Sequence, residues 1–309
     1  MKTIGYFISL IFHEKGKNLT VDGRFQIRPS RLKWIAIAFC VFLSLSFGFR
    51  IGIPAAWATE STAPGIESVQ NLKQLYQDLD LLFRQGFAAT QSGDFVTAEA
   101  RWTKAIELAP NNPAAWSNRG NARISQYQLQ AALDDFNQAI ELAPNIADPY
   151  INRGIAWEGL GEWQKAIEDY DRAIGLNPQD PVAYNNRANA KAGSEDWLGA
   201  AEDFKKASEL APGFAAASVN YALVLYQLGE VKESTQLLKN LVRKYSQFAD
   251  PRAALTAVLW GQGRRGEAES NWYPVIGLDP RYKDTNWLTQ IRRWPPLVVT
   301  EMERFLQLN

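Results

Sequence analysis

AYNNRANAKAGSEDWLGAAEDFKKASELAP, residues 183–212, is the clearest copy of a pattern that returns every 34 residues between Leu79 and Tyr282. Its closing proline, Pro212, has counterparts at Pro110, Pro144, Pro178 and Pro280, with Ser246 standing where the series lapses. Twelve residues before each closing position lies a small residue: Ala98, Ala132, Ala166, Ala200, Ser234 and Ala268. Eight before lies a bulky one: Trp102, Phe136, Tyr170, Phe204, Leu238 and Trp272. Five before, Ala105, Ala139, Ala173 and Ala207 give way to Leu241 and Val275. A period of this length marks a solenoid, whose units bury their apolar faces only by stacking on one another.

Each block reads as two helices. An aromatic such as Trp116, Tyr150 or Tyr184 opens the first, a polar or glycine-bearing turn (Ser92 to Asp94, Gly161 to Glu162, Gly229 to Glu230) breaks it, and the second stops before the proline. Proline cannot continue a helix and biases its predecessor away from helical geometry. Small residues at two second-helix positions let the pair approach closely while the bulky residue fills the space beside them.

This arrangement resembles the tetratricopeptide repeat family over about two-thirds of the chain. The resemblance implies an all-α fold, a right-handed superhelical solenoid of helix-turn-helix units with capping helices at both ends. Repeats are expected at 79–112, 113–146, 147–180, 181–214, 215–248 and 249–282, the last two divergent. Ahead of them, Ile66, Val69, Leu72, Leu75, Tyr76, Leu79 and Leu82 keep a three-and-four spacing, so an N-terminal capping helix at 66–78 should run into the first repeat. Pro274 falls inside the second helix of the sixth block and should kink or shorten it. Residues 283–309 are expected to cap the far end, with a closing helix entered at Pro296.

The chain balances 33 Lys/Arg against 33 Asp/Glu, but its parts differ. Residues 1–58 hold eight basic and two acidic residues; the other 251 hold 25 basic and 31 acidic. An acidic repeat region argues against a phosphate-binding surface, so no nucleic-acid partner is expected. His13 and Cys40, the only residues of their kinds, precede the repeats. A repeat domain lacking both offers no imidazole base, thiol nucleophile or His/Cys metal site, so no enzyme, cofactor or metal is expected.

Trp34 to Phe49 (WIAIAFCVFLSLSFGF) is an apolar run preceded by Arg28, Arg31 and Lys33 and followed by Ala56-Trp57-Ala58, a small-x-small site. That describes an export signal cleaved after Ala58, with an uncleaved membrane anchor over 34–58 as its rival. Either way residues 1–33 form a basic cytoplasmic extension, 59–65 a linker, and the repeats lie across the membrane, on a periplasmic or thylakoid-lumen side.

In the resembled family the first helices line a concave face that carries ligand contacts. On this chain that analogy selects a ladder of asparagines: Asn118, Asn121, Asn152, Asn185, Asn186, Asn189 and Asn220. An asparagine amide can both donate to and accept from the backbone of an extended peptide. It can equally hold helix-to-helix hydrogen bonds. The family's chaperone carboxylate clamp is not expected, because Ser117, Val182 and Asn186 stand where its cations would be, although Asn121 and Asn152 match. The function implied is a protein-interaction scaffold that binds an extended peptide or partner helix and assists assembly of a membrane complex; the alternative is an envelope glycan-binding or enzyme-associated module.

Three further patterns matter. Arg119, Arg153 and Arg187 coincide, repeat by repeat, with Asp135, Asp169 and Asp203, which suggests a ladder of ion pairs. Gly261, Gly263 and Gly266 spell GxGxxG, but they follow a helix rather than a strand and so belong to an interhelical turn. Among the eleven tryptophans, Trp102, Trp163, Trp197 and Trp272 fall on core positions, whereas Trp287 and Trp294 have no assigned place.

Overall fold

The computed structural model describes residues 66–308, so the expected extension 1–33, apolar segment 34–58 and linker 59–65 lie outside the described residues. From Ile66 the described chain is helical. It begins with α1 (Ile66–Gln91) and α2 (Phe95–Leu108), then α3 (Pro113–Ser125), α4 (Leu129–Leu142), α5 (Asp148–Gly159) and α6 (Trp163–Leu176). The second half comprises α7 (Pro181–Gly193), α8 (Trp197–Leu210), α9 (Ala215–Gln227), α10 (Val231–Lys244), α11 (Ala249–Gly261) and α12 (Arg265–Leu278). A 3-10 turn (Pro280–Lys283) leads to α13 (Thr285–Gln290) and α14 (Pro296–Gln307). Consecutive helices pack pairwise into a right-handed superhelical solenoid.

The 66–78 cap is not a separate helix. α1 runs unbroken for 26 residues, so cap and first-repeat helix are one element, as expected where the three-and-four spacing crosses the block boundary without a breaker. Four helix starts in the repeats are capped by short polar side chains. Asp94 accepts from the Thr97 N–H at 3.0 Å, Asn112 from Ala114 at 3.0 Å, Asp180 from Val182 at 2.8 Å and Asp196 from Gly199 at 3.0 Å. Pro113 and Pro181 fill first-turn positions where an N–H would have no partner.

Every turn inside a repeat has one residue in the left-handed region. Gly93, Gly161, Gly229 and Gly263 take it with φ of 72–86°, and Tyr127 and Glu195 take it at 60° and 65°. Gly263 is the middle glycine of the GxGxxG run, which is an interhelical turn. Pro274 does not shorten α12, which keeps the 14 residues of the other second helices. It is exposed there, so the carbonyl one turn back can be hydrated.

Helix pairs approach closely at the small positions: Ala98, Ala132, Ala166, Ala200, Ser234 and Ala268 are all fully buried. The Ser234 hydroxyl donates to the Ala222 carbonyl at 2.6 Å, which satisfies the one polar group in that series. Facing the bulky series on the first helix is a second small position that periodicity had not disclosed. A Cβ on Gly86, Gly120 or Gly154 would lie 2.6–2.7 Å from the ring of Trp102, Phe136 or Tyr170. Two of the aromatics at the heads of first helices bind across the repeat boundary: the Trp116 Nε1–H donates to the Pro110 carbonyl at 2.8 Å and the Tyr150 hydroxyl to Pro144 at 3.1 Å.

The arginine series forms the expected ladder and extends it. Each guanidinium forks onto the aspartate sixteen residues ahead, with closest contacts of 2.7 Å for Arg119–Asp135, 2.6 Å for Arg153–Asp169 and 2.7 Å for Arg187–Asp203. Each also donates sixteen residues back into the preceding repeat, to Thr103 at 3.3 Å, Asn137 at 2.7 Å and Asp171 at 2.6 Å. One arginine therefore ties two second helices together. The aspartates are buried, and each guanidinium lies 4.9–5.7 Å from the ring of Trp116, Tyr150 or Tyr184. The bond to Asp169 pushes the Arg153 pKa further up, while burial pushes the Asp169 carboxyl above its usual range against the opposing pull of Arg153.

At the far end, α14 packs into one apolar core with α9 to α13, in which Phe305, Met302, Val298 and Leu288 are fully buried. Trp294 joins this core, and Trp287 packs edge-on against Tyr282 at 5.2 Å, which places the two unassigned tryptophans. Among the described residues no helix is long and apolar enough to cross a membrane.

Candidate peptide-binding groove

A cavity of about 960 Å³ is walled by the first helices α5, α7 and α9 and bordered on another side by the segment from Thr289 to Pro296. Three of the seven candidate asparagines meet on its wall: Asn185 and Asn189 from α7 and Asn220 from α9. Their spacing explains the convergence. Asn185 and Asn189 are one helical turn apart, and Asn220 occupies, one repeat later, the position that Asn186 has in α7.

The ladder is otherwise divided. Asn118, Asn121, Asn152 and Asn186 are half-buried on first helices but do not line this cavity. Asn185 is buried and donates to the Asn186 side chain at 3.3 Å, while its own buried amide oxygen has no hydrogen-bond partner. A buried unpaired carbonyl is costly, and a ligand N–H would relieve it.

Two tryptophans expected in the core also border this cavity, and Trp197 packs against the core cluster around Phe204. Trp163 and Trp197 are half-buried and line the cavity from the first positions of second helices. Trp102 and Trp272 are buried core residues.

The strongest electrostatic feature is Glu158, at the end of α5. It is 7% exposed, accepts the Tyr170 hydroxyl and pairs with Arg293 of the C-terminal segment. Burial pushes the Glu158 carboxyl above the usual carboxylate range, against the opposing effects of Tyr170 and Arg293. Burial and the adjacent carboxylate also push the Tyr170 phenol far up, so its proton stays in place as a donor. Nothing in sequence spacing marks Glu158, which lies 135 residues from its cationic partner. Among the described residues no cluster of three His, Cys, Asp or Glu side chains is placed to hold a metal ion.

Tetratricopeptide repeat profiles match residues 113–146, 147–180 and 191–259. The chain carries tetratricopeptide repeats. Through them it is similar to Hsp70-Hsp90 organizing protein 1 of Arabidopsis thaliana, 49% identical over 51 residues, which are 16% of this chain and 9% of that protein. It is also similar to Tetratricopeptide repeat protein 36 of Mus musculus, 32% identical over 92 residues, 30% of this chain and 47% of the relative. The chain thus spans less than half the length of the curated relatives it matches. A structure described in a functional characterization of Pseudomonas aeruginosa pilF shares the fold with a TM-score of 0.58 at 18% identity, over 67% of this chain and 94% of that one. Tetratricopeptide repeats mediate protein–protein interaction and typically form non-enzymatic scaffolds.

Proposed function

We propose that the groove around Asn185, Asn189 and Asn220 holds an extended peptide of a partner protein, making the chain a non-enzymatic assembly scaffold. The observation that carries this is the meeting of those three amides on one cavity wall, beside a buried carbonyl without a donor. Amides of this kind pair with peptide backbone irrespective of side-chain sequence, leaving specificity to the charged and aromatic groups nearby. The membrane side of the reading rests on the apolar run 34–58 and its basic flank: the repeats act beyond a membrane, on a periplasmic or lumenal side, in assembly of a membrane-bound complex.

Asn189→Ala with Asn220→Ala tests the groove. Both residues are half-buried, so helicity and melting should survive. Captured from native membranes with the full chain as bait, a stoichiometric partner should be lost or reduced about tenfold, as for removal of two hydrogen-bonding groups. Capture at an unchanged level would remove the groove from the mechanism. The glycan-binding alternative draws on Trp163 and Trp197, but Arg293 already lies 5.5 Å from the Trp163 ring, where a sugar would stack.

A further inference from the structure

The cation in this groove comes from the chain itself. Arg293 lies between α13 and α14, yet its guanidinium reaches Glu158 in the third repeat and sits over the Trp163 ring at 5.5 Å.

Several features set this contact apart from an ordinary surface ion pair. Its acceptor is buried and held in place by the Tyr170 hydroxyl, so the carboxylate is positioned whether or not Arg293 is present. The arginine is only partly enclosed, at 39% side-chain exposure, and it borders a cavity with room for further chain. Its φ of 51° lies in the left-handed region, in a turn where the Arg292 and Trp294 N–H groups donate to the Trp287 and Leu288 carbonyls. The flanks are tied down independently: Arg292 pairs with buried Asp250, and the Leu297 N–H donates to Gln227 at 3.0 Å. Arg293 can therefore leave Glu158 without α13 or α14 unpacking.

We propose that Glu158, Tyr170 and Trp163 form an arginine-recognition pocket for a partner's extended peptide, and that Arg293 is an internal stand-in which such a peptide displaces. This deepens the proposed function and rests on it. A guanidinium suits the pocket because one N–H donates to the Glu158 oxygen that Tyr170 leaves free while the group sits over the indole; a lysine ammonium lacks that planar face.

The test uses the full chain and fluorescence anisotropy with a labelled extended peptide of serine and alanine carrying one central arginine. A matched peptide carries citrulline, the uncharged isostere. Arg293→Gly empties the pocket with a residue suited to the local φ. It should bind the arginine peptide about tenfold more tightly than the unaltered chain, the ratio for a pocket that Arg293 leaves free roughly one-tenth of the time. Arg293→Lys should fall between, and the citrulline peptide should bind about tenfold more weakly than the arginine peptide. Glu158→Gln, which needs no change at Arg293, should erase the preference for arginine over citrulline; a preference that survives it overturns the pocket. Equal binding of both peptides, lost in the Asn189→Ala, Asn220→Ala chain, overturns the arginine pocket and leaves the groove standing. Binding of neither peptide by a helical Arg293→Gly chain overturns both.

Discussion

Repeats two to four and the region from α9 to α14 solve the same stacking problem with different chemistry. In the former, a buried aspartate accepts a forked arginine that also reaches the repeat before it, and the apolar residues form separate small clusters. In the latter, the arginine position becomes Tyr221 and then Leu255, the aspartate position becomes Leu237 and then Asn271, and one apolar core runs from Val219 to Phe305. Polar pins fix register between neighbouring repeats, since a forked ion pair tolerates little displacement. A continuous core tolerates divergence from the repeat pattern, because apolar burial is non-directional. This explains how the fifth block can lose its proline, and both the fifth and sixth the alanine five residues before the closing position, and still stack.

The largest expected effect is in the continuous core. Phe305→Ala should cost about 3–5 kcal/mol in urea unfolding, since it removes a fully buried ring that packs against Trp260 and Trp272. A loss under about 1 kcal/mol would mean that the C-terminal helices are an appendage rather than part of the core.

The pinned region should break more gently and be repairable. Asp169→Ala leaves the partly exposed Arg153 without its fork partner and should cost about 1–3 kcal/mol. Replacing both, Arg153→Met with Asp169→Leu, converts the third repeat to the apolar solution and should recover to within about 1 kcal/mol of the unaltered chain. Failure to recover in a double-mutant cycle would show that the ladder sets more than stability.

The smallest effect concerns a turn. Glu195→Gly should stabilise by about 1 kcal/mol, because it places glycine at a φ of 65° where four other repeats already have it. A rise in thermal midpoint without change in cooperativity would confirm that this turn carries strain.

The Arg–Asp ladder was legible because co-occurrence in three blocks and absence from the others is visible in one chain. Its backward arm was not, because Thr103, Asn137 and Asp171 share no residue type. Gly86, Gly120 and Gly154 were missed for a related reason: Ala188, Ala222 and Thr256 follow them in register and disguise the series. Trp163 and Trp197 matched a core position by periodicity, yet periodicity does not reveal that this position, first in its helix, also borders an open cavity.

Periodicity alone dictates the helical pairs, their register and the stacking, because in a solenoid each unit contacts its neighbours and the contacts repeat with the sequence. It also places the asparagines on first helices. Only the tertiary structure decides which of them face a common space, and that the C-terminal segment carries Arg293 back to Glu158. Those outcomes depend on superhelical curvature accumulated over several repeats and on a single long-range ion pair, and neither leaves a periodic trace.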